Sequence, residues 1–187
     1  MSSREKILAQ AKANKPAVVD LPEIPLFANE IDVVEQFKTM LASIGGRAEE
    51  MALSDIDSFI KKVYFDAERI ASNVIESTFS VDSQTHKDEL EKIDLAVLRG
   101  EFGVSENGAI WLPEKNMLNR ALPYIAQHLV LVIEKKSIVP NMHFGYQKIP
   151  SVGAYGVFIA GPSKTADIEQ SLVIGAHGAR SMIAILV

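Results

Sequence analysis

Two unbroken apolar runs set the strongest limit on what this chain can fold into. His128-Leu129-Val130-Leu131-Val132-Ile133 and Met182 to Val187 show no alternation of polar and apolar residues. A strand with one wet face alternates, so continuous runs of this length predict strands covered on both faces. Leu95-Ala96-Val97-Leu98 and Gly108-Ala109-Ile110-Trp111-Leu112 are shorter runs of the same kind, and Val152 to Ala160 adds another. Arg47 to Leu53 and Arg69 to Ser72 also fit strands.

The first half carries helical spacing instead. Ile31, Val34, Phe37, Leu41 and Ile44 fall on one helical face, with Asn29 as the expected cap and Gly45-Gly46 as the stop. Ser54-Asp55 opens a second helix with Ile56, Phe59, Ile60, Val63 and Tyr64 on its apolar side, and Asp88 to Lys92 fits a third. Helical windows early and buried runs late predict an α/β fold, a single domain with a mainly parallel sheet flanked by helices. Residues 2–13 predict a short amphipathic helix, and three prolines between Lys15 and Pro25 predict an extended linker. The expected division is therefore an N-terminal helical arm and linker, 1–28, and an α/β domain, 29–187. Such an arm can pack on the domain, on a twin subunit in a homo-oligomer, or on another protein.

Composition removes several function classes. A net charge of −5 leaves no broad basic surface to neutralise a phosphate backbone, so no nucleic-acid partner is expected. The 187 residues contain no cysteine, hence no disulfide, no thiolate-held cluster and no cysteine nucleophile. No apolar run approaches the ~20 residues of a membrane span, and Met1 to Lys15 lacks a signal core, so the expectation is no membrane segment and a cytoplasmic location. No His-Glu spacing suits a metal, and no cofactor is expected.

Three glycine-bearing turns carry the candidate chemistry. Gly161-Pro162-Ser163-Lys164-Thr165-Ala166-Asp167-Ile168-Glu169 follows an apolar strand, and Ser163 or Thr165 is placed to cap a helix whose first turn bears Asp167 and Glu169. Free N–H groups at such a helix start favour a small anion, a phosphate or a carboxylate. The plain alternative is a helix cap that binds nothing. The second turn, Gly175-Ala176-His177-Gly178-Ala179-Arg180, leaves the His177 imidazole free to face a ligand among small neighbours. The third, Ser105-Glu106-Asn107-Gly108-Ala109, is a tight turn in which Glu106 has no turn role and is a candidate general base or acyl acceptor. If all three lie at the carboxyl ends of strands, they share one cleft. Lys164 and Arg180 would then face the ligand's charge.

These segments resemble the lactate-utilization protein C family, also called the LUD domain. The family's Gly-Pro-Ser-Arg-Thr-Ala-Asp-Ile-Glu stands here as Gly161 to Glu169, and its Gly-x-His-Gly-Pro turn as Gly175 to Ala179. A motif similar to Ala-Glu-Thr-Gly-Thr corresponds to Ser105 to Ala109, so Glu106 and Gly108 carry over directly. Lys164 replaces an arginine, Asn107 and Ala109 replace threonines, and Ala179 replaces a proline. The resemblance implies a fold like that of sugar-phosphate isomerases and CoA transferases. It also implies a non-redox part in oxidising L-lactate to pyruvate beside iron–sulfur cluster-bearing partners. On this reading Glu106 and His177 are the candidate catalytic residues. Gly108, Gly161, Ser163, Lys164, Thr165, Asp167 and Gly178 are the candidate ligand-binding residues. The rivals are a stand-alone isomerase, acyl-transfer or ligase-type enzyme, and a scaffold that binds no ligand.

Overall fold

The apolar runs pair with one another as the centre of a five-stranded parallel sheet. The computed structural model describes residues 2–20, 22, 32–166, 172–174 and 178–187. The first half holds α1 (Ser3–Ala13), α2 (Val33–Ser43), β1 (Arg47–Glu50), α3 (Ile56–Val63), β2 (Ile70–Ser72) and α4 (Lys87–Leu90). There follow β3 (Leu95–Arg99), β4 (Phe102–Val104), β5 (Ala109–Pro113), α5 (Leu122–Ile125), β6 (His128–Ile133) and α6 (Met142–Gln147). The last quarter adds β7 (Gly156–Ile159), β8 (Lys164–Ala166), β9 (Leu172–Ile174) and β10 (Ser181–Leu186).

The parallel sheet runs β1-β10-β6-β3-β2, with Ser181 opposite His128 and Leu186 opposite Ile133. Side chains alternate between its faces. Leu95, Val97, Val130, Val132, Ile183 and Ile185 pack against Ile56, Ile60 and Tyr64 at and beyond α3. Leu98, Leu129, Leu131, Met182 and Leu186 pack the other way, against Phe37 and Leu41 of α2 and Ile110 and Leu112 of β5. Both faces are covered, which is why the runs need no alternation.

A second sheet, β4-β5-β7, is antiparallel and forms the next layer. All of β5 is buried: Ile110 and Leu112 face the parallel sheet, while Trp111 joins Phe102, Val104 and Val139 in a smaller cluster with Met142 and Phe144. Burial on both sides makes β5 resemble a parallel strand in sequence, although it does not join the parallel sheet; β7 beside it is only partly buried. The result is a single α/β domain, a parallel sheet flanked by helices with the antiparallel sheet inserted on one side.

Helix ends follow local chemistry. α2 is capped by Asp32, whose Oδ1 accepts from Val34 N at 3.0 Å and Glu35 N at 3.2 Å. The expected cap Asn29 lies outside the described residues, and Asp32 takes its role. At the other end Gly45, with φ +83°, lets Gly46 N reach Leu41 O and Gly45 N reach Ala42 O, a Schellman closure. α1 is closed by a Ser2–Glu5 capping box and buries none of its side chains. Among the described residues no helix is long and apolar enough to cross a membrane.

Where the sequence suggests a helix start after Gly161-Pro162, the described residues form a strand instead. Lys164–Ala166 pairs antiparallel with Leu172–Ile174, Thr165 opposite Val173. Ser163 and Thr165 are therefore not helix caps. Two causes combine: Ser163 N donates to Ala179 O at 2.8 Å, which holds the chain extended, and the Leu172-Val173-Ile174 run supplies a β-branched partner.

Candidate functional site

The three glycine turns do not gather at the carboxyl ends of the parallel strands. Gly178 to Arg180 lead directly into β10, so they lie at the amino ends, together with Gly45-Gly46 before β1 and Gln127 before β6. Ser163 joins this edge through its bond to Ala179 O, and Arg180 N donates to Gln127 O at 2.8 Å. At the carboxyl ends, by contrast, charge is already matched. Glu50 pairs with Lys38 and, at 2.7 Å, with Lys135, and these two cations, Lys135 foremost, hold its carboxyl at about 2. Glu134 pairs there with Lys136 and Arg99. An incoming anion would meet cations already occupied.

The amino edge is different. Lys164 and Arg180 directly follow the two residues joined by the Ser163–Ala179 bond, both are exposed, and neither forms an ion pair among the described residues. A Cβ on Gly178 would stand 3.0 Å from Ser163 Cβ and 3.3 Å from its Oγ. Glycine thus lets the two turns close together beside the Ser163 hydroxyl. The structure brings together Gly161, Ser163, Lys164 and Gly178, and Thr165 follows in β8. Asp167 and His177 lie outside the described residues.

Gly108 is tied to the same corner through α2. Continuing the β5–β7 register, in which Ile110 meets Ile159, sets Gly108 opposite Gly161. Both have positive φ, +68° and +74°, and both lie against the end of α2, at Leu41 and at Ile44. The Asn107-Gly108 turn forms as expected, with Asn107 Oδ1 accepting from Ala109 N at 3.0 Å. Glu106 has another role. Its Oε1 accepts from Met142 N at 2.6 Å, at the first residue of α6, so this carboxylate closes a helix start.

Sequence reasoning missed one polar centre on this edge. His128 Nδ1 lies 2.7 Å from Ser181 Oγ, Tyr64 OH lies 3.3 Å from the same oxygen, and the Tyr64 and His128 rings are 5.1 Å apart. His128 and Ser181 are the first residues of two buried strands in direct register. The available signal was a polar residue at the head of each apolar run. A serine held by an imidazole has the contact that nucleophile activation requires, and it also satisfies polar groups at a closed strand start.

Burial lowers the His128 pKa from its ordinary 6.5, Arg180 lowers it further, and Asp66 and Asp94 pull the other way. Burial pushes the Tyr64 phenol up. Because the folded imidazole binds its proton less readily than the unfolded one, its contribution to stability is complete above pH 6.5 and is lost as pH falls through the folded value. Urea unfolding across that window is expected to show stability declining with acidity, and His128→Gln is expected to flatten the decline. An unchanged slope in the variant would assign it to other groups.

A family model described as the LUD domain matches residues 9–187. Lactate utilization protein C of Geobacillus thermodenitrificans is 31% identical over 98 residues, covering 49% of this chain and 41% of that protein. Lactate utilization protein C 1 of Bacillus mycoides is 23% identical over 173 residues, 79% of this chain and 74% of that protein. The chain thus spans less than half the length of the first of these relatives. A crystal structure of a DUF162 family protein from Deinococcus radiodurans matches with a TM-score of 0.65 at 19% identity, covering 83% of this chain and 96% of that one. At that identity the likeness supports the fold. With the family match running from residue 9 through β10, this chain belongs to the LUD domain family.

Proposed function

We propose that this chain is a component of a lactate utilization system and holds a small carboxylate or phosphate at the amino edge of its parallel sheet. The observation that carries the reading is the 173-residue match to Lactate utilization protein C 1 of Bacillus mycoides, which extends over most of the chain. In this reading Ser163 Oγ, Lys164 and Arg180 bind the anion. Two cations that form no ion pair among the described residues replace the helix dipole that the sequence suggested. Without cysteine, this chain offers no thiolate for an iron–sulfur cluster, so the redox steps belong to cluster-bearing partner proteins in the cytoplasm.

Deleting the gene is expected to abolish growth on L-lactate while leaving growth on glucose intact; normal lactate growth would overturn the reading. Complementation by Lys164→Gln combined with Arg180→Gln is expected to fail although the purified variant stays folded. Glu106→Gln is expected to complement, because the amide oxygen still accepts from Met142 N. A folded Glu106→Gln protein that cannot complement would favour the acyl-transfer alternative, in which the carboxylate itself reacts.

A further inference from the structure

We infer that the cleft between β5 and residues 148–155 is a second binding site, for a small organic monoanion with a flat apolar body. The cleft has a volume of about 490 Å³, within the range of small-molecule sites. Trp111 and Pro113 line one side, and Ile149, Pro150 and Val152 line the other. Trp111 reaches this position because Gly156 lies under its ring: a Cβ there would stand 2.4 Å from the indole. Phe158 supports the same ring at 4.8 Å between centroids. Trp111 is 5% exposed, so a small part of a firmly held ring borders the cleft.

The charges around the cleft specify the sign of the ligand. Glu101 is matched by Lys115 at 2.5 Å, and Glu114 by Arg120 at 2.6 Å. Lys148 has no carboxylate partner among the described residues; its Nζ stands 5.9 Å from the centre of the Phe102 ring. Of the charged residues that line the cleft, Glu101 and Lys115 pair with each other and Glu114 pairs with Arg120 outside the lining, which leaves Lys148 as the rim charge without a carboxylate partner among the described residues. An apolar body would bury between Trp111 and Pro113 on one side and Ile149, Pro150 and Val152 on the other, while its single negative group would reach Lys148. A carboxylate or sulfonate on an aromatic ring has that form. This site is separate from the Ser163–Arg180 edge and does not depend on the lactate reading.

Trp111 is the sole tryptophan of the chain, so its emission reports on this cleft alone. Titration of the purified protein with phenylacetate and with anilinonaphthalene sulfonate is expected to give a saturable change in emission. Phenylacetamide, the neutral analogue, is expected to bind about tenfold more weakly or worse, the usual weight of a charge-assisted contact. Lys148→Gln should weaken both anions by a similar factor at unchanged melting temperature, Lys148→Arg should retain them, and Lys164→Gln should leave the signal as it is. Flat titrations with both probes, equal binding of the amide, or undiminished binding to Lys148→Gln would each overturn the assignment.

Discussion

Replacing Gly108 with alanine is expected to destabilise the protein by about 2–5 kcal/mol and lower its melting temperature by roughly 4–20 °C. Two costs add. The φ of +68° lies in the left-handed region, which costs a residue with a Cβ roughly 1–2 kcal/mol. The new methyl would also stand 2.9 Å from Leu41 N and 3.0 Å from Leu41 Cα. Those are backbone atoms within the helix, so relief requires α2 to move off the hairpin, an overpacking cost of about 1–3 kcal/mol. Gly153 provides the control. Its φ is +69°, yet a Cβ there meets nothing within 4 Å, so Gly153→Ala carries only the conformational cost. The difference between the two variants in denaturant unfolding isolates the contact between hairpin and helix. Equal losses would mean that the Asn107-Gly108 turn is not held against Leu41.

The same region shows what a sequence can and cannot convey. Gly45-Gly46 and Asn107-Gly108 are legible because positive φ is a local demand that glycine answers wherever the chain later packs. The strands are legible because their apolar runs admit few other uses. Their partners are not: β5 is buried on both faces, by the parallel sheet and by the Trp111 cluster, and so has the apolar continuity of a parallel strand. α6 has only six residues and a glycine within it. It offers no period to read; a Cβ on Gly145 would stand 3.3 Å from Phe102 and 3.4 Å from Val104, a closeness visible only in the fold.

The segment after Gly161 is ambiguous for a different reason. Ser163 followed by acidic residues matches a helix start, and Lys164-Thr165-Ala166 matches a short strand equally well. The choice is made by Ala179 O and by Leu172–Ile174, both outside the segment itself. Candidate site residues follow the same rule. Ser163 and Gly178 stand out because their motifs are local, whereas the His128–Ser181 contact depends on strand register, 53 residues apart. Glu106 stands out because it has no role in its own turn; its partner is Met142 N, 36 residues away.

Deleting Ile183 to Val187 is expected to abolish the folded state. β10 is an inner strand, paired with β6 through six registered residues and with β1 through four, so its loss leaves β1 without a neighbour and opens an edge on β6. Ile183, Ile185 and Leu186 are each at most 5% exposed, and they serve opposite faces: the isoleucines pack toward α3, Leu186 toward α2. Burying three such side chains stabilises by about 5–9 kcal/mol, comparable to the roughly 5–15 kcal/mol that separates a typical domain from its unfolded chain. The lost ladder hydrogen bonds add to that. Ile185→Ala is the graded test, expected to cost about 2–5 kcal/mol with a cooperative transition retained. Circular dichroism and size-exclusion chromatography decide the larger change. The truncated chain should be insoluble or lack a thermal transition, whereas a monomer that melts cooperatively would show that β10 does not hold the two halves of the parallel sheet together.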